Sequence, residues 1–199
     1  MQTELNYDTV FDAQEHFRVL LDSMSRPGKI NALPALEILP PEGLQSSAAL
    51  TGFALLNNDV TFYIAGKNRE DIAGYFLVNT GAQPAEINTA GYIFIPEYFY
   101  DELLYDAQMG TAIYPEDSAT IIAQSELISE EMHEGAIGLT LKGPGVNGEA
   151  KVYISGISRD LLDFLKIQNE EYPLGIDMII TDKMGHVMGL PRSNRFIFS

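Results

Sequence analysis

The sequence predicts an α/β fold, a mixed sheet with helices on both faces, and three observations carry that expectation. Helix-period and strand-period segments alternate over most of the 199 residues. The strand candidates Tyr92–Ile95, Ala119–Ala123 and Ile176–Ile180 are short and almost wholly apolar, as strands buried on two sides are. Alternating runs at 137–141 and 150–154 flank a glycine-rich turn, a hairpin pattern, so the sheet is not purely parallel. Nothing repeats at solenoid spacing, and residues 1–199 read as a single domain.

Each element has its local reason. Residues 1–10 are a polar lead-in. Phe17, Leu20, Leu21 and Met24 recur at i, i+3, i+4 and i+7, which predicts a helix with those four on its buried face. Asp12 and Glu15 have capping-box spacing, and Pro27 ends the helix near Met24 or Ser25. Lys29–Leu33 suits one strand, and Pro34, Pro40, Pro41 and Gly43 mark a loop. A serine-capped helix is expected over Ser46–Leu56, a strand over Asp59–Ile64 and a helix over Asn68–Val78. Pro96 and Glu97 open a further helix reaching about Ala107. Ser158 caps a helix carrying Leu161, Leu162, Phe164 and Leu165, and His186–Met188 returns beside the strand at Ile176–Ile180.

Composition narrows the function. There is no cysteine, which removes disulfides, thiol catalysis and zinc–thiolate sites and fits a reducing, cytoplasmic setting. No apolar run is long enough to cross a membrane, and the first residues lack a signal-peptide pattern. With 28 acids against 12 bases the formal charge is −16, a field that repels nucleic acid and anionic membranes. An anionic ligand would need local cations, helix N-termini or a basic partner.

Few residues stand out as chemistry. Arg26, between the helix and Pro27-Gly28, is a cation on a stiff corner, a geometry suited to a carboxylate or phosphate; it equally suits capping its own helix or pairing with a surface acid. Gly143-Pro-Gly145-Val-Asn-Gly148 spells G-x-G-x-x-G, but a strand follows where the dinucleotide fingerprint requires a helix. A tight hairpin connection is the simpler reading, a backbone-amide nest at Gly143 and Gly145 the other. Arg192 again stands beside a proline, and Asp177 opens a buried strand where its charge needs a partner; the two are expected either to brace the terminus or to serve a ligand. His16, His133 and His186 match no metal spacing, and no metal is expected. No nucleophile elbow or phosphate loop occurs, and no independent catalytic site is evident.

Taken in order, Phe17-Arg-Val-Leu-Leu-Asp-Ser-Met-Ser-Arg-Pro-Gly28, Leu141-Lys-Gly-Pro-Gly145, Tyr172-Pro-Leu-Gly-Ile-Asp177 and Leu190-Pro-Arg192 resemble the PhnH family, subunits of the bacterial carbon–phosphorus lyase machinery. The Met-Ser-Arg-Pro-Gly run is the most specific; Ser23, and the Ser-Asn after Leu190-Pro-Arg192, look like variants of the family pattern. The resemblance implies a fold similar to the large domain of pyridoxal-phosphate-dependent transferases, without that cofactor or its site. It implies a homodimer that joins PhnG, PhnI and PhnJ. In the family picture that core complex transfers a phosphonate onto ribose triphosphate derived from ATP, displacing adenine, before a radical iron–sulfur step elsewhere breaks the C–P bond. A chain without cysteine cannot ligate such a cluster through thiolates. Two functions therefore stand side by side: a supporting subunit of this complex, or a stand-alone enzyme binding a phosphorylated metabolite through Arg26, Gly28, Gly143, Gly145 and Arg192. A scaffold that dimerises and binds no ligand is the third.

Overall fold

The computed structural model describes residues 7–97 and 100–199. Its centre is a seven-stranded mixed sheet built from β1 (Asn31–Ala32), β2 (Thr61–Ile64), β3 (Gln83–Pro84), β4 (Tyr92–Ile95), β5 (Thr120–Gln124), β9 (Asp177–Thr181) and β10 (His186–Leu190), in the order β1-β10-β9-β5-β4-β2-β3. From β3 to β9 all neighbours are parallel; β10 and β1 add antiparallel pairs at one edge. The mixed character thus comes from β10 and β1. The hairpin of β7 (Ile137–Lys142) and β8 (Ala150–Ser155) instead forms a second, antiparallel sheet with β6 (Leu127–Ser129) and β11 (Arg195–Phe198), ordered β11-β7-β8-β6.

Period-two alternation sorts the central side chains into two cores. Phe62, Ile64, Phe94, Ile122, Ile179 and Val187 face α1 (Phe11–Ser25), α2 (Ser46–Leu55) and α3 (Arg69–Thr80), where Leu20, Phe53, Ile72 and Phe76 complete the layer. Ile93, Ile95, Ile121, Ala123, Met178 and Ile180 face the other way, onto α4 (Arg159–Gln168) and the inner residues Leu139, Leu141, Val152 and Ile154 of the second sheet. One face is therefore covered by three helices. The other is covered by one helix and the second sheet, so helices lie on both faces as expected, and on one of them a sheet shares the covering.

Four further expectations need correction. The helix foreseen from Pro96 to Ala107 is, over its described part, an irregular stretch with one 3-10 turn at Glu102–Asp106, where the Asp101 side chain accepts from the Leu103 N–H. On α1, Phe17 and Leu21 lie outside; the buried stripe is His16, Leu20 and Ser23, one position round the helix. The capping arrangement sits one turn earlier than expected: Asp8 accepts from the N–H groups of Val10 and Phe11, while Asp12 accepts from the Asp8 N–H. Neither Ser46 nor Ser158 caps its helix through the side chain.

Candidate functional site

The motif segments, far apart in sequence, form one contiguous patch. Pro27 is buried and ends α1 with Arg26 as its C-cap, and the Lys29 N–H closes the turn on the Arg26 carbonyl at 3.0 Å. Gly28 sits at φ +85°, and a Cβ there would stand 2.6 Å from the Ala150 Cβ on β8. The turn between β7 and β8 meets the corner from the other side. At Gly145, φ +79°, a Cβ would fall 2.2 Å from the Ser25 carbonyl oxygen and 2.9 Å from the Pro27 ring. These two glycines exist so that backbones can touch. Gly143 in turn lies against Asn194, whose amide donates to the Pro144 carbonyl at 3.0 Å and so ties in the Leu190-Pro-Arg192 segment. Across the base of the turn Lys142 and Glu149 pair at 2.5 Å, and that hydrogen bond holds the Glu149 carboxyl below its usual range.

The two arginines of this patch differ. Arg26 is 62% exposed, and its guanidinium pairs with Asp22 at 3.3 Å in an i, i+4 pair, the one ion pair it makes among the described residues. Asp22 also accepts from Lys29 at 2.6 Å, and chiefly for that reason its carboxyl lies below the ordinary value. Arg192 is 16% exposed and its guanidinium is fully engaged. Nη2 and Nε donate to Asp177 Oδ2 at 2.8 and 3.2 Å, the backbone N–H donates to Oδ1 at 2.8 Å, and Nη1 donates to the Pro115 carbonyl at 2.5 Å. This is a brace across the start of β9.

Several structural residues gave no signal in the sequence. Asn169 is buried and clamps Ile176 through both backbone groups, at 2.7 and 3.0 Å, beside the φ +136° of Gly175. Ser23 takes an amide hydrogen from Asn31 while donating to the Val19 carbonyl. Asp182, with no exposed surface, accepts from the N–H groups of Ile128, Met184 and His186 and contacts the His186 ring at 2.9 Å. It pins the second sheet to the carboxyl end of β9. The three histidines lie apart: His16 on the Pro34 carbonyl, His133 on Ser155, His186 on Asp182. Among the described residues no group of three or more His, Asp or Glu side chains is placed to hold a metal.

A cavity of about 410 Å³ opens elsewhere, past the carboxyl ends of β4 and β5, where open α/β sheets hold ligands. Gln45, Glu97, Gln124, Glu126 and Lys183 supply its polar wall. Gln124 fixes the floor, accepting from the Gln45 N–H at 2.7 Å and donating to the carbonyls of Gly43 and Pro96. Lys183 already pairs with Glu126 at 3.2 Å. Two carboxylates against one paired ammonium make this a poor site for a polyanion. None of Arg26, Gly28, Gly143, Gly145, Arg192 or Asp177 lines it.

Fold and site define a layered α/β protein whose motif segments meet in a backbone-packed surface patch, separate from the cavity past β4 and β5. The sequence places it further. The family described as "Bacterial phosphonate metabolism protein (PhnH)" matches residues 6–196, and the chain belongs to that family. It is 25% identical to the alpha-D-ribose 1-methylphosphonate 5-triphosphate synthase subunit PhnH of Rhizobium meliloti over 195 residues, 94% of this chain and 92% of the relative. It is also 25% identical to HtxG of Stutzerimonas stutzeri, a candidate C-P lyase subunit, over 183 residues, 90% of this chain and 83% of the relative. No helix among the described residues is long and apolar enough to cross a membrane.

Proposed function

We propose that this chain is a homodimeric, cytoplasmic subunit of a carbon–phosphorus lyase core complex. It assembles with PhnG, PhnI and PhnJ and supports transfer of a phosphonate onto the ribose triphosphate of ATP. The observation that carries the reading is the whole-length family match together with the convergence of the four shared motif segments on one patch. The patch is built by close backbone contacts with Arg26 exposed at its corner, which suits a surface presented to another subunit better than an enclosed active site. A central sheet of seven strands, mostly parallel with an antiparallel edge, supports kinship with the large domain of pyridoxal-phosphate-dependent transferases. A stand-alone enzyme acting on a phosphorylated metabolite would need Arg192 to face its ligand, and Arg192 is held by Asp177 and Pro115. The acid-rich wall of the cavity past β4 and β5 also argues against independent triphosphate binding there.

Co-expression of the tagged chain with PhnG, PhnI and PhnJ, followed by purification and mass determination, tests the proposal. A stable complex containing this chain supports it. A chain that stays apart from these partners at every salt concentration would overturn it.

A further inference from the structure

Late in the crossover from β4 to β5 the chain makes a tight turn that the fold holds rigidly. At Gly110, φ +75°, it doubles back so closely that a Cβ would stand 2.6 Å from the Pro115 carbonyl oxygen. Thr111 closes the turn twice: its N–H donates to the Tyr114 carbonyl at 3.0 Å, and its hydroxyl accepts from the Tyr114 N–H at 2.9 Å. Arg192 then clasps this turn to the one before β9. Its Nη1 donates to the carbonyls of both Pro115 and Gly175, and the Gly175 N–H donates to the Met109 carbonyl at 3.0 Å. What the clasp holds out is apolar. Ile113 and Tyr114 on the first turn and Tyr172 on the second are 78%, 57% and 62% exposed. Turn tips are usually built from glycine and small polar residues. Two tyrosines and an isoleucine on a braced backbone have the composition of a contact surface.

Charge selects what that surface takes. None of the 12 bases falls between Arg69 and Lys142, a stretch that holds thirteen of the 28 acids. At the clasp, Glu116 and Asp117 follow the first tip, and Glu170 and Glu171 precede Tyr172. All four are exposed, and none is in an ion pair among the described residues. Arg195, beside them, turns its guanidinium to the carbonyls of Arg192 and Glu170 instead. We infer that the two clasped turns dock a basic surface of a partner subunit, with the apolar tips seated in it and the acids facing its lysines and arginines around the rim. The inference rests on the subunit reading of the preceding section and names a face and the chemistry of its occupant. The same acids disfavour a second copy, whose symmetric contact would set acid against acid, and they repel nucleic acid. Because the backbone is braced beforehand, little ordering is left to be done on docking. Arg192 thereby acquires a further duty, since the guanidinium that neutralises Asp177 also fixes the turn that carries Ile113 and Tyr114.

The test is the affinity of the purified full chain for PhnG, PhnI and PhnJ co-expressed without it, measured by biolayer interferometry over a range of salt. Wild-type binding should weaken as salt rises. Ile113→Ala with Tyr114→Ala should raise Kd by roughly tenfold or more while the circular-dichroism signal stays that of the folded chain, since both side chains are exposed. Glu116→Lys with Asp117→Lys should raise Kd by roughly tenfold and flatten the salt dependence. Glu130→Lys with Glu131→Lys makes the same change in net charge on the β6–β7 loop, at the opposite end of β7 from the Arg195 pairing, and should move Kd by less than about twofold. Tip variants that bind like the wild type would overturn the proposal, as would a swap at 130 and 131 that weakens binding as much as the swap at 116 and 117. So would wild-type binding indifferent to salt, or tip variants whose sedimentation mass drops from two copies to one, which would make a second copy the occupant. Wild type that fails to bind at every salt concentration sinks the subunit reading itself. Wild type that binds, with unaffected tip variants, sinks only this face.

Discussion

Arg26 and Arg192 are the same idea in sequence, an arginine beside a proline at the end of an element, and opposite things in space. At Arg192 the backbone N–H and the guanidinium converge on one carboxylate, Asp177, with both side chains under a fifth exposed. At Arg26 the neighbouring Asp22 is already shared with Lys29, and most of the guanidinium faces solvent. Proline fixes where an arginine starts; what surrounds it decides whether it becomes a brace or stays available. The contrast also separates two duties within one patch, holding the fold and presenting a surface.

The largest effect should come from breaking the brace. Arg192→Ala leaves Asp177 with its charge and without its fork of donors, a loss of roughly 3 kcal/mol and ~10 °C in Tm by thermal denaturation. Arg192→Lys keeps the charge and loses the bidentate geometry, so it should recover only part. If Arg192→Ala melts like the wild type, the distinction between the two arginines collapses.

Next comes the contact that holds the corner against the turn. Gly145→Ala must place a Cβ against the Ser25 carbonyl at positive φ and should cost about 2–3 kcal/mol. Gly148→Ala has a similar φ, +77°, with nothing within 4 Å, and should cost only about 1 kcal/mol. Chemical denaturation of the pair isolates the backbone approach from the conformational penalty. Equal losses would mean that the Gly143–Gly148 turn and the Arg26 corner are not held together by this contact.

Arg26→Ala sharpens the comparison from the other side. Its pair with Asp22 is exposed and screened by solvent, so the melting curve should barely move. Growth on a phosphonate as sole phosphorus source should nevertheless fall, if the corner is presented to the complex. Normal growth would reduce Arg26 to an ordinary surface charge.

Much of this contrast could not be read from the chain. The strands β4, β5 and β9 were legible because short, almost wholly apolar runs have few other solutions, and the β7–β8 hairpin because its turn is glycine-rich. The second sheet was not, because β6 is three residues long and β11 follows the Pro191–Asn194 turn, with pairing partners some fifty residues away. The buried face of α1 was misjudged by one position, since an apolar arc as wide as Val10–Met24 does not say which of its edges meets the sheet. Asp177 and Arg192 were visible as partners because a charge at the mouth of a buried strand requires one. Asp182 and Asn169 were not, because their importance lies in backbone groups that sequence does not position. The cavity past β4 and β5 is lined by residues from five separate segments and no motif.

The smallest effect concerns Asp22, the acid that decides how free Arg26 is. Its carboxyl is held below the ordinary carboxylate value mainly by the Lys29 hydrogen bond, with Arg26 adding to it. A group whose folded pKa is depressed contributes stability above its unfolded pKa, about 3.9, and loses it as pH falls through the lower folded value. Wild type should therefore melt slightly above Asp22→Asn at neutral pH, and the two curves should merge only below about pH 4. Asp22→Asn should at the same time loosen Arg26 and Lys29 together, while leaving the Arg192 brace untouched. A gap that persists unchanged to low pH would mean that Asp22 acts through the shape of the helix end and not through its charge, and that Arg26 is placed by Pro27 alone.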